Sequence, residues 1–346
     1  MRQTGKPPIL ILPNVTFQKY HDEDRPLPYE ATPAKVRDEL VRRLPDVEIQ
    51  LAGDDAAARA RLPEAPIILT ERMTPEMLVS ARRLAWLQFP GSGPDHFFKL
   101  SGVPAEEFRR RGITVLNSPG ISRIPVAEQV MALALGLVRD LPRAFRQQLR
   151  REWRIYCADE LCGKTFGIIG VGAIGSRVAE LAKAFGMRVI GTRAHPEVRP
   201  PAVDQVYGPD QTERVIREAD ILLLACPLTP GTRGMMGRRQ FALMKPTAYF
   251  INVSRGENVD EEALAEALQT GKIAGAGLDT FGPLDRGDPK LQEALSPTSR
   301  LWECANVIVM PNNAASTPRY FEYFAELVAE NYRRALLGEP FISQVA

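Results

Sequence analysis

The segment FGIIGVGAIGSRVAELAKAFGMRVIGTRAH, residues 166–195, constrains the fold of this chain more than any other. An apolar, β-rich run leads into Gly170, Gly172 and Gly175 at G-x-G-x-x-G spacing; a helix-period pattern follows, and then a second apolar run at residues 188–191. The spacing alone is a weak signal. In a strand–turn–helix–strand setting the glycines have separate tasks: a tight turn, backbone approach to a pyrophosphate, and close helix–strand packing. The helix N-terminus adds a partial positive charge that favours the anion. The segment therefore predicts a βαβ unit that binds a dinucleotide, set against the plainer reading of a glycine-rich turn in an ordinary βαβ unit.

The end of the second strand bears on which dinucleotide. An acidic residue there accepts both ribose hydroxyls of NAD, but this chain has Thr192 and Arg193. A guanidinium cannot accept those bonds, whereas its planar fork suits a 2′-phosphate and stacks on adenine. The expectation is NADP(H), with NAD(H) possible if Arg193 is a solvated surface residue.

The rest of the 346-residue chain continues the alternation of strand and helix. Short β-rich runs fall at residues 9–12, 67–70, 84–89 and 113–116, and a later set at 219–229, 248–256, 273–280 and 306–311. With the two runs of the opening segment, the later set predicts a sheet of six strands. Such alternation implies parallel sheets with helices on both faces, and the length implies two domains. Thr32-Pro33 and Thr74-Pro75 each place a capping hydroxyl before a proline at the first helical position. An amphipathic helix is expected from Ser122 to Leu141, and a polar, proline-punctuated surface loop over residues 18–31. A last helix is expected from Ser316-Thr317-Pro318 to Gly338, returning to the first domain.

Composition removes several classes of function. Lys+Arg 44 against Asp+Glu 42 leaves no basic excess suited to a nucleic acid partner. The longest apolar stretch, residues 124–138, carries Glu128 and Gln129 and is too short to span a bilayer. Four cysteines in a chain of this length do not make a disulfide framework. Cys157 and Cys162 lack a nearby second Cys/His pair, so no metal site is expected, and reduced thiols fit a cytoplasmic location.

Five segments accumulate beyond the phosphate loop: LCGKTFGIIGVGAIG, ACPLTPGTRGMMG, ALMKPTAYFINVSRGENVDEEAL, AGAGLDTF and SPGISRIPVAEQ. Together they resemble the D-isomer-specific 2-hydroxyacid dehydrogenase family from about Leu84 onward, with a divergent N-terminal part. The resemblance implies an α/β fold of two Rossmann-like doubly wound domains separated by a cleft. One is a flavodoxin-like substrate domain, residues 1–118 and 314–346; the other is a dinucleotide-binding domain, residues 119–313.

The same resemblance assigns residues. Arg255, in the N-x-x-R-G turn, would bind the carboxylate and carbonyl of a small 2-oxo or 2-hydroxy acid, which suits a bidentate cation at a strand end. The loop FPGSGPD, residues 89–95, would hold the carboxylate through backbone amides, with Ser92 and Gly93 as its best candidates; Pro94 departs from the usual apolar residue and removes a donor. Asp279 would contact the nicotinamide carboxamide. Ala173, Ile174, Cys226, Pro227, Thr232, Val253 and Ser254 match positions that line the cofactor.

Two departures stand out. The family's proton donor is a histidine where this chain has Asn312, and its glutamate partner is replaced by Leu284, with Asp285 beside it. Asparagine donates a hydrogen bond but does not relay a proton near neutral pH. General acid–base catalysis is worth roughly 10² to 10⁴ in rate. Of the histidines, His21 lies in the polar insertion and His195 on the adenosine side, which leaves His96, after the carboxylate loop, as the candidate donor. Tyr156 and Asp285 are weaker substitutes.

The leading reading is hydride transfer between NADP(H) and a small 2-oxo or 2-hydroxy acid, by an enzyme expected to be a homodimer. The alternatives are a redox-neutral lyase or isomerase using bound NAD(P), and a non-catalytic dinucleotide-binding protein.

Overall fold

The computed structural model describes residues 5–15, 32–282 and 294–346, so His21, Leu284 and Asp285 lie outside the described residues. The chain divides into two compact units, Met1–Ser122 with Ser316–Ala346, and Arg123–Ala315.

The first unit contains five short strands, β1 Ile9–Ile11, β2 Ile49–Leu51, β3 Ile67–Leu69, β4 Trp86–Gln88 and β5 Thr114–Leu116. They form one parallel sheet in the order β2-β1-β3-β4-β5, with Ile9 opposite both Ile49 and Ile67, and Trp86 opposite Thr114. This is the flavodoxin-like order. β1, β3 and β4 are buried along their whole length, as parallel strands covered on both faces must be. The covering helices are α1 Pro33–Arg43, α2 Asp55–Arg61, α3 Pro75–Ser80, α4 Pro94–Ser101 and α5 Ala105–Arg110.

The second unit opens with α6 Arg123–Val138 and α7 Leu141–Arg150, followed by strand β6 Thr165–Ile169, helix α8 Ala173–Ala184, and strands β7 Arg188–Thr192 and β8 Gln205–Tyr207. After helix α9 Thr212–Glu218 come β9 Ile221–Leu224, α10 Arg238–Leu243, β10 Tyr249–Asn252, α11 Glu261–Gln269, β11 Gly275–Leu278 and β12 Val307–Val309. The sheet is parallel in the order β12-β11-β10-β9-β6-β7-β8. Neighbouring residues feed opposite faces. Ile168, Leu223 and Ile251 pack toward α6 and α8; Ile169, Leu224 and Phe250 pack toward α9, α10 and α11. The final helix, α12 Tyr320–Leu337, belongs to the first unit, where it packs on α1.

Several sequence expectations need correction. The second sheet has seven strands rather than six, because β8 was missed; β2 was missed as well. Both are edge strands of three residues with partly exposed side chains, too short to show a period. α6 is buried around most of its surface and is not amphipathic. Asp140 adopts φ 52, separating it from α7, and caps α7 by accepting the Arg143 N–H at 3.4 Å. Thr74 caps α3 by accepting the Met77 N–H at 3.4 Å, but Thr32 makes no such bond and its hydroxyl is buried without a partner among the described residues. The last helix starts at Tyr320, later than the Thr317-Pro318 signal, and ends as anticipated at Gly338 in the left-handed region.

Candidate functional site

In the second unit the loops after β6, β9, β10, β11 and β12 leave from the same edge of one parallel sheet. The chain reverses direction there, passing from β6 to β7 on one side and to β9 on the other. Ligands of open α/β sheets bind at such a switch point.

The phosphate loop is defined by its backbone. Gly170 adopts φ 102, and a Cβ on it would lie 2.7 Å from the Cys226 N and 2.8 Å from the Ala225 carbonyl, so no other residue fits without moving the loop after β9. The amides of Gly170 and Val171 donate to the Thr192 carbonyl at 3.2 and 2.9 Å. Gly172 is the N-cap of α8 with no side-chain cap, and a Cβ on it would point into open space. The first-turn amides of α8, beginning at Ala173, Ile174 and Gly175, thus form a cradle that fits a pyrophosphate.

Arg193 follows β7. Its amide donates to the Tyr207 carbonyl at 3.0 Å, which ties it to β8, and its Nη1 donates to the Val198 carbonyl at 3.3 Å. His195 is exposed, with Nδ1 3.4 Å from Glu197.

On the other side of the switch point, burial pushes the Cys226 thiol up to about 11. At neutral pH it is a small uncharged wall, 3.6 Å from the Met235 sulfur. The Thr232 hydroxyl donates to the Pro227 carbonyl at 2.7 Å and accepts from the Thr229 amide at 2.8 Å, closing the turn after β9.

The turn carrying Arg255 rests on a buried polar network. Asn252 Oδ1 accepts from the Ser254 amide at 3.0 Å and from its hydroxyl at 2.7 Å. Asn258, fully buried, donates through Nδ2 to the Ser254 hydroxyl at 3.1 Å and to the Cys226 carbonyl at 3.5 Å. The half-buried Arg255 donates from Nη1 to the Ser254 carbonyl at 3.0 Å. A Cβ on Gly256 would fall 1.7 Å from the Phe281 carbonyl carbon, so this turn and the chain leaving β11 meet backbone to backbone. Just beyond, the Gly282 amide donates to Glu261 Oε1 at 2.7 Å, and burial holds that carboxyl above its ordinary range. Sequence reading assigned Arg255, Val253 and Ser254 but missed Asn252 and Asn258. The run N-V-S-R-G-E-N was the available signal, because buried amides in a turn are there to hold backbone.

Asp279, buried at the end of β11, has a task the sequence did not show. Its two carboxylate oxygens accept the amides of Asn313 at 3.1 Å and Ala314 at 3.3 Å. The turn that bears Asn312 is thereby pinned to β11, and Asn312 itself adopts φ 54. Asparagine enters this left-handed region more readily than most residues, so the backbone gives one reason for asparagine at this position.

Tyr156, the weaker substitute named from the sequence, sits outside the loops that surround the cradle. Its hydroxyl donates to the Asp140 carbonyl at 3.2 Å and its ring lies 4.5 Å beneath Arg143, which makes it part of the α6–α7 corner. Among the described residues no cluster of three or more His, Cys, Asp and Glu side chains could hold a metal, and no helix is long and apolar enough to cross a membrane.

In the first unit, residues 89–93 join β4 to α4. Gly93 is the N-cap of α4 and Pro94 its first residue. The Ser92 hydroxyl donates to the Ser118 carbonyl at 3.2 Å, so the donor Ser92 has left for an anion is its amide. His96 is half-buried in the first turn of α4, next to Phe97, whose ring stacks on Phe89 at 4.5 Å.

A glycine cradle at the switch point of a doubly wound sheet defines the second unit as a dinucleotide-binding domain. Residues 131–314 match the profile described as D-isomer specific 2-hydroxyacid dehydrogenase, NAD binding domain. The chain is 36% identical over 275 residues to a glyoxylate reductase of Thermococcus gammatolerans, covering 76% of this chain and 77% of that one. It is 33% identical over 308 residues to a D-3-phosphoglycerate dehydrogenase of Methanocaldococcus jannaschii, covering 87% of this chain and 55% of that one. The chain spans about half the length of the phosphoglycerate dehydrogenases it matches. A solved structure of an NADPH-dependent glyoxylate/hydroxypyruvate reductase from Sinorhizobium meliloti, in complex with NADP and sulfate, is 25% identical with a TM-score of 0.76, over 98% of both chains. The protein belongs to the D-isomer specific 2-hydroxyacid dehydrogenase family.

Proposed function

We propose that this protein reduces a small 2-oxo acid to the 2-hydroxy acid with NADPH. One observation carries the reading. Arg255 is held by the buried Asn252–Ser254–Asn258 network at the same sheet edge as the glycine cradle. A cation fixed at that cost in buried polar groups is suited to a small anion. The glyoxylate reductase and the NADPH-dependent glyoxylate/hydroxypyruvate reductase among its relatives support a short 2-oxo acid such as glyoxylate or hydroxypyruvate.

The chemistry that a bound nicotinamide supplies is hydride donation to a carbonyl carbon. The chain's own residues orient and polarise. Arg255 pairs with the carboxylate and draws electron density from the carbonyl oxygen. The amides of Ser92 and Gly93 take the carboxylate, while Gly172, Ala173, Ile174 and Gly175 hold the pyrophosphate. Asp279 fixes the turn bearing Asn312, whose side-chain amide is a hydrogen-bond donor for the developing alkoxide. The proton comes from His96 or from solvent. Loss of a general acid costs about 3 to 5.5 kcal/mol, less than the roughly 7 to 11 kcal/mol available from orientation, so turnover is slow but real.

Arg193 is the support for NADPH over NADH. Arg193, whose backbone amide is tied to β8, stands where an acid would select NAD. The four unpaired cysteines support a reducing, cytoplasmic setting. We also infer a homodimer. Leu141, Phe145 and Leu149 form an exposed stripe on α7 that continues into Trp153 at 94% and Ile155 at 91% exposure, a patch too apolar for a lone chain. Sedimentation should give a dimer that Trp153→Glu dissociates; a wild-type monomer would refute it.

The direct test is NADPH absorbance loss with glyoxylate, hydroxypyruvate and pyruvate, paired with cofactor titrations. Turnover on at least one acid and at least roughly tenfold tighter NADPH than NADH binding are expected. No turnover on any acid overturns the activity, and equal dissociation constants overturn the cofactor preference.

A further inference from the structure

The loop at residues 89–93 is held in an unusual way. Four successive carbonyls each accept a hydrogen bond from within the first unit. Phe89 O accepts from the Ser118 hydroxyl at 2.7 Å, Pro90 O from the Tyr320 hydroxyl, Gly91 O from the Ser118 amide at 2.9 Å, and Ser92 O from Asn117 Nδ2 at 2.6 Å. Carbonyls turned inward leave the intervening amides to face the other way. Among the described residues no bond is recorded from the Gly91, Ser92 or Gly93 amides, the arrangement an anion-binding loop requires.

The donors are themselves held from far along the chain. The Ile342 amide donates to Asn331 Oδ1 at 2.9 Å, Asn331 Nδ2 to Gln88 Oε1 at 3.3 Å, Gln88 Nε2 to the Ser118 hydroxyl at 3.2 Å, and that hydroxyl to Phe89 O. A second, shorter series runs beside it, from the Ser343 hydroxyl to Asn117 Oδ1 and from Asn117 Nδ2 to Ser92 O. Gln88, Asn117, Ser118 and Asn331 are all buried. Each amide uses its oxygen on the incoming side and its nitrogen on the outgoing side, so both series have a fixed direction. The segment where they begin is fastened to the sheet, with the Val345 amide donating to the Val115 carbonyl at 2.8 Å and the Val115 amide to the Ala346 carbonyl at 2.9 Å.

We propose that residues 342–346 set the affinity of the 89–93 loop for the substrate carboxylate through these two relays, with Ser343, Asn331, Gln88 and Asn117 as positioning residues. The proposal rests on the reading of that loop as the carboxylate site. A relay of buried amides, each bonded through both its oxygen and its nitrogen, fixes orientation, and its loss at any member leaves unpaired groups that let the loop turn. None of the four residues needs to touch the substrate.

The test pairs Ser343→Ala and Asn117→Ala with Ser343→Thr, which keeps the hydroxyl. Steady-state kinetics with glyoxylate and NADPH should show KM for glyoxylate raised roughly tenfold in the alanine variants, about the effect of one hydrogen bond. Turnover number and NADPH affinity should stay within about twofold, and Ser343→Thr should restore KM. Amide exchange of the peptide covering residues 114–118, which contains the Ser118 amide bonded to the Gly91 carbonyl, is read in parallel, corrected for intrinsic rates, and needs no activity. Faster exchange in both alanine variants, reversed in Ser343→Thr, supports the relay even if wild type turns over no 2-oxo acid, in which case the functional reading alone has failed. Unchanged exchange, or a KM that moves only together with turnover number and NADPH affinity, overturns the relay.

Discussion

Two glycine-containing loops, one in each unit, are held by opposite means. The phosphate loop after β6 is shaped by backbone. Gly170 at φ 102 packs against the chain of residues 225–226, and the Gly170 and Val171 amides both use the Thr192 carbonyl. The loop after β4 is shaped by side chains, because Ser118, Tyr320 and Asn117 supply donors to three of its carbonyls. The first solution requires a particular residue type at each position. The second requires particular partners elsewhere and tolerates change in the loop itself.

That contrast is broken most severely by exchanging alanine for glycine in both loops. Gly170→Ala places a Cβ 2.7 Å from a backbone nitrogen at a φ that L-residues rarely adopt; strain of about 1–3 kcal/mol plus the displaced loop should weaken NADPH binding at least ~100-fold. Gly91→Ala meets only the Phe89 ring, at 3.4 Å, and should change stability and NADPH affinity by less than about 0.5 kcal/mol. Cofactor titration and thermal melts of the two variants check this, and equal tolerance would abolish the distinction.

How much of this the sequence shows follows the same division. Gly170, Gly172, Gly175 and the two strands around them are legible because the backbone requirement falls on consecutive residues. Arg193 draws notice in the sequence because a different charge is expected there, and its role in choosing the cofactor is part of the proposal. The side-chain relays are not, since Gln88 and Asn331, or Asn117 and Ser343, come together only in the folded unit and no local pattern joins them. The φ 54 of Asn312 and the anchoring of its turn by Asp279 were hidden for the same reason. β2 and β8 escaped because three-residue edge strands with mixed exposure carry no period.

Asn312→His is the next largest expected effect, and it examines the turn that Asp279 pins. Histidine also tolerates the left-handed region, so the turn should survive. If a proton donor is what the protein lacks, turnover number should rise about 10- to 100-fold. An unchanged rate would assign the proton to another source, and His96→Ala would then be the informative variant.

The smallest effect concerns Glu261, which holds Gly282 close to the Gly256 contact. Its carboxyl is raised by burial, so the folded state resists ionisation more than the unfolded state does. The stability this group provides is complete at acidic pH and is lost as pH climbs from the ordinary carboxylate range through the raised value. Glu261→Gln keeps an acceptor for the Gly282 amide and removes the charge. It should stabilise the protein at neutral pH and leave its stability unchanged at acidic pH in denaturant melts. A gain that does not depend on pH would show that charge burial is not the cause.

The central claim, that Arg255 anchors a small carboxylic acid beside the dinucleotide, is tested most directly by calorimetric titration of oxamate into the NADPH-loaded protein and its Arg255→Gln variant. The account predicts NADPH affinity within about twofold in both, and oxamate affinity lower by about 100-fold or more in the variant, as for loss of one partner of a buried charge pair. Equal oxamate binding by the two proteins would contradict it.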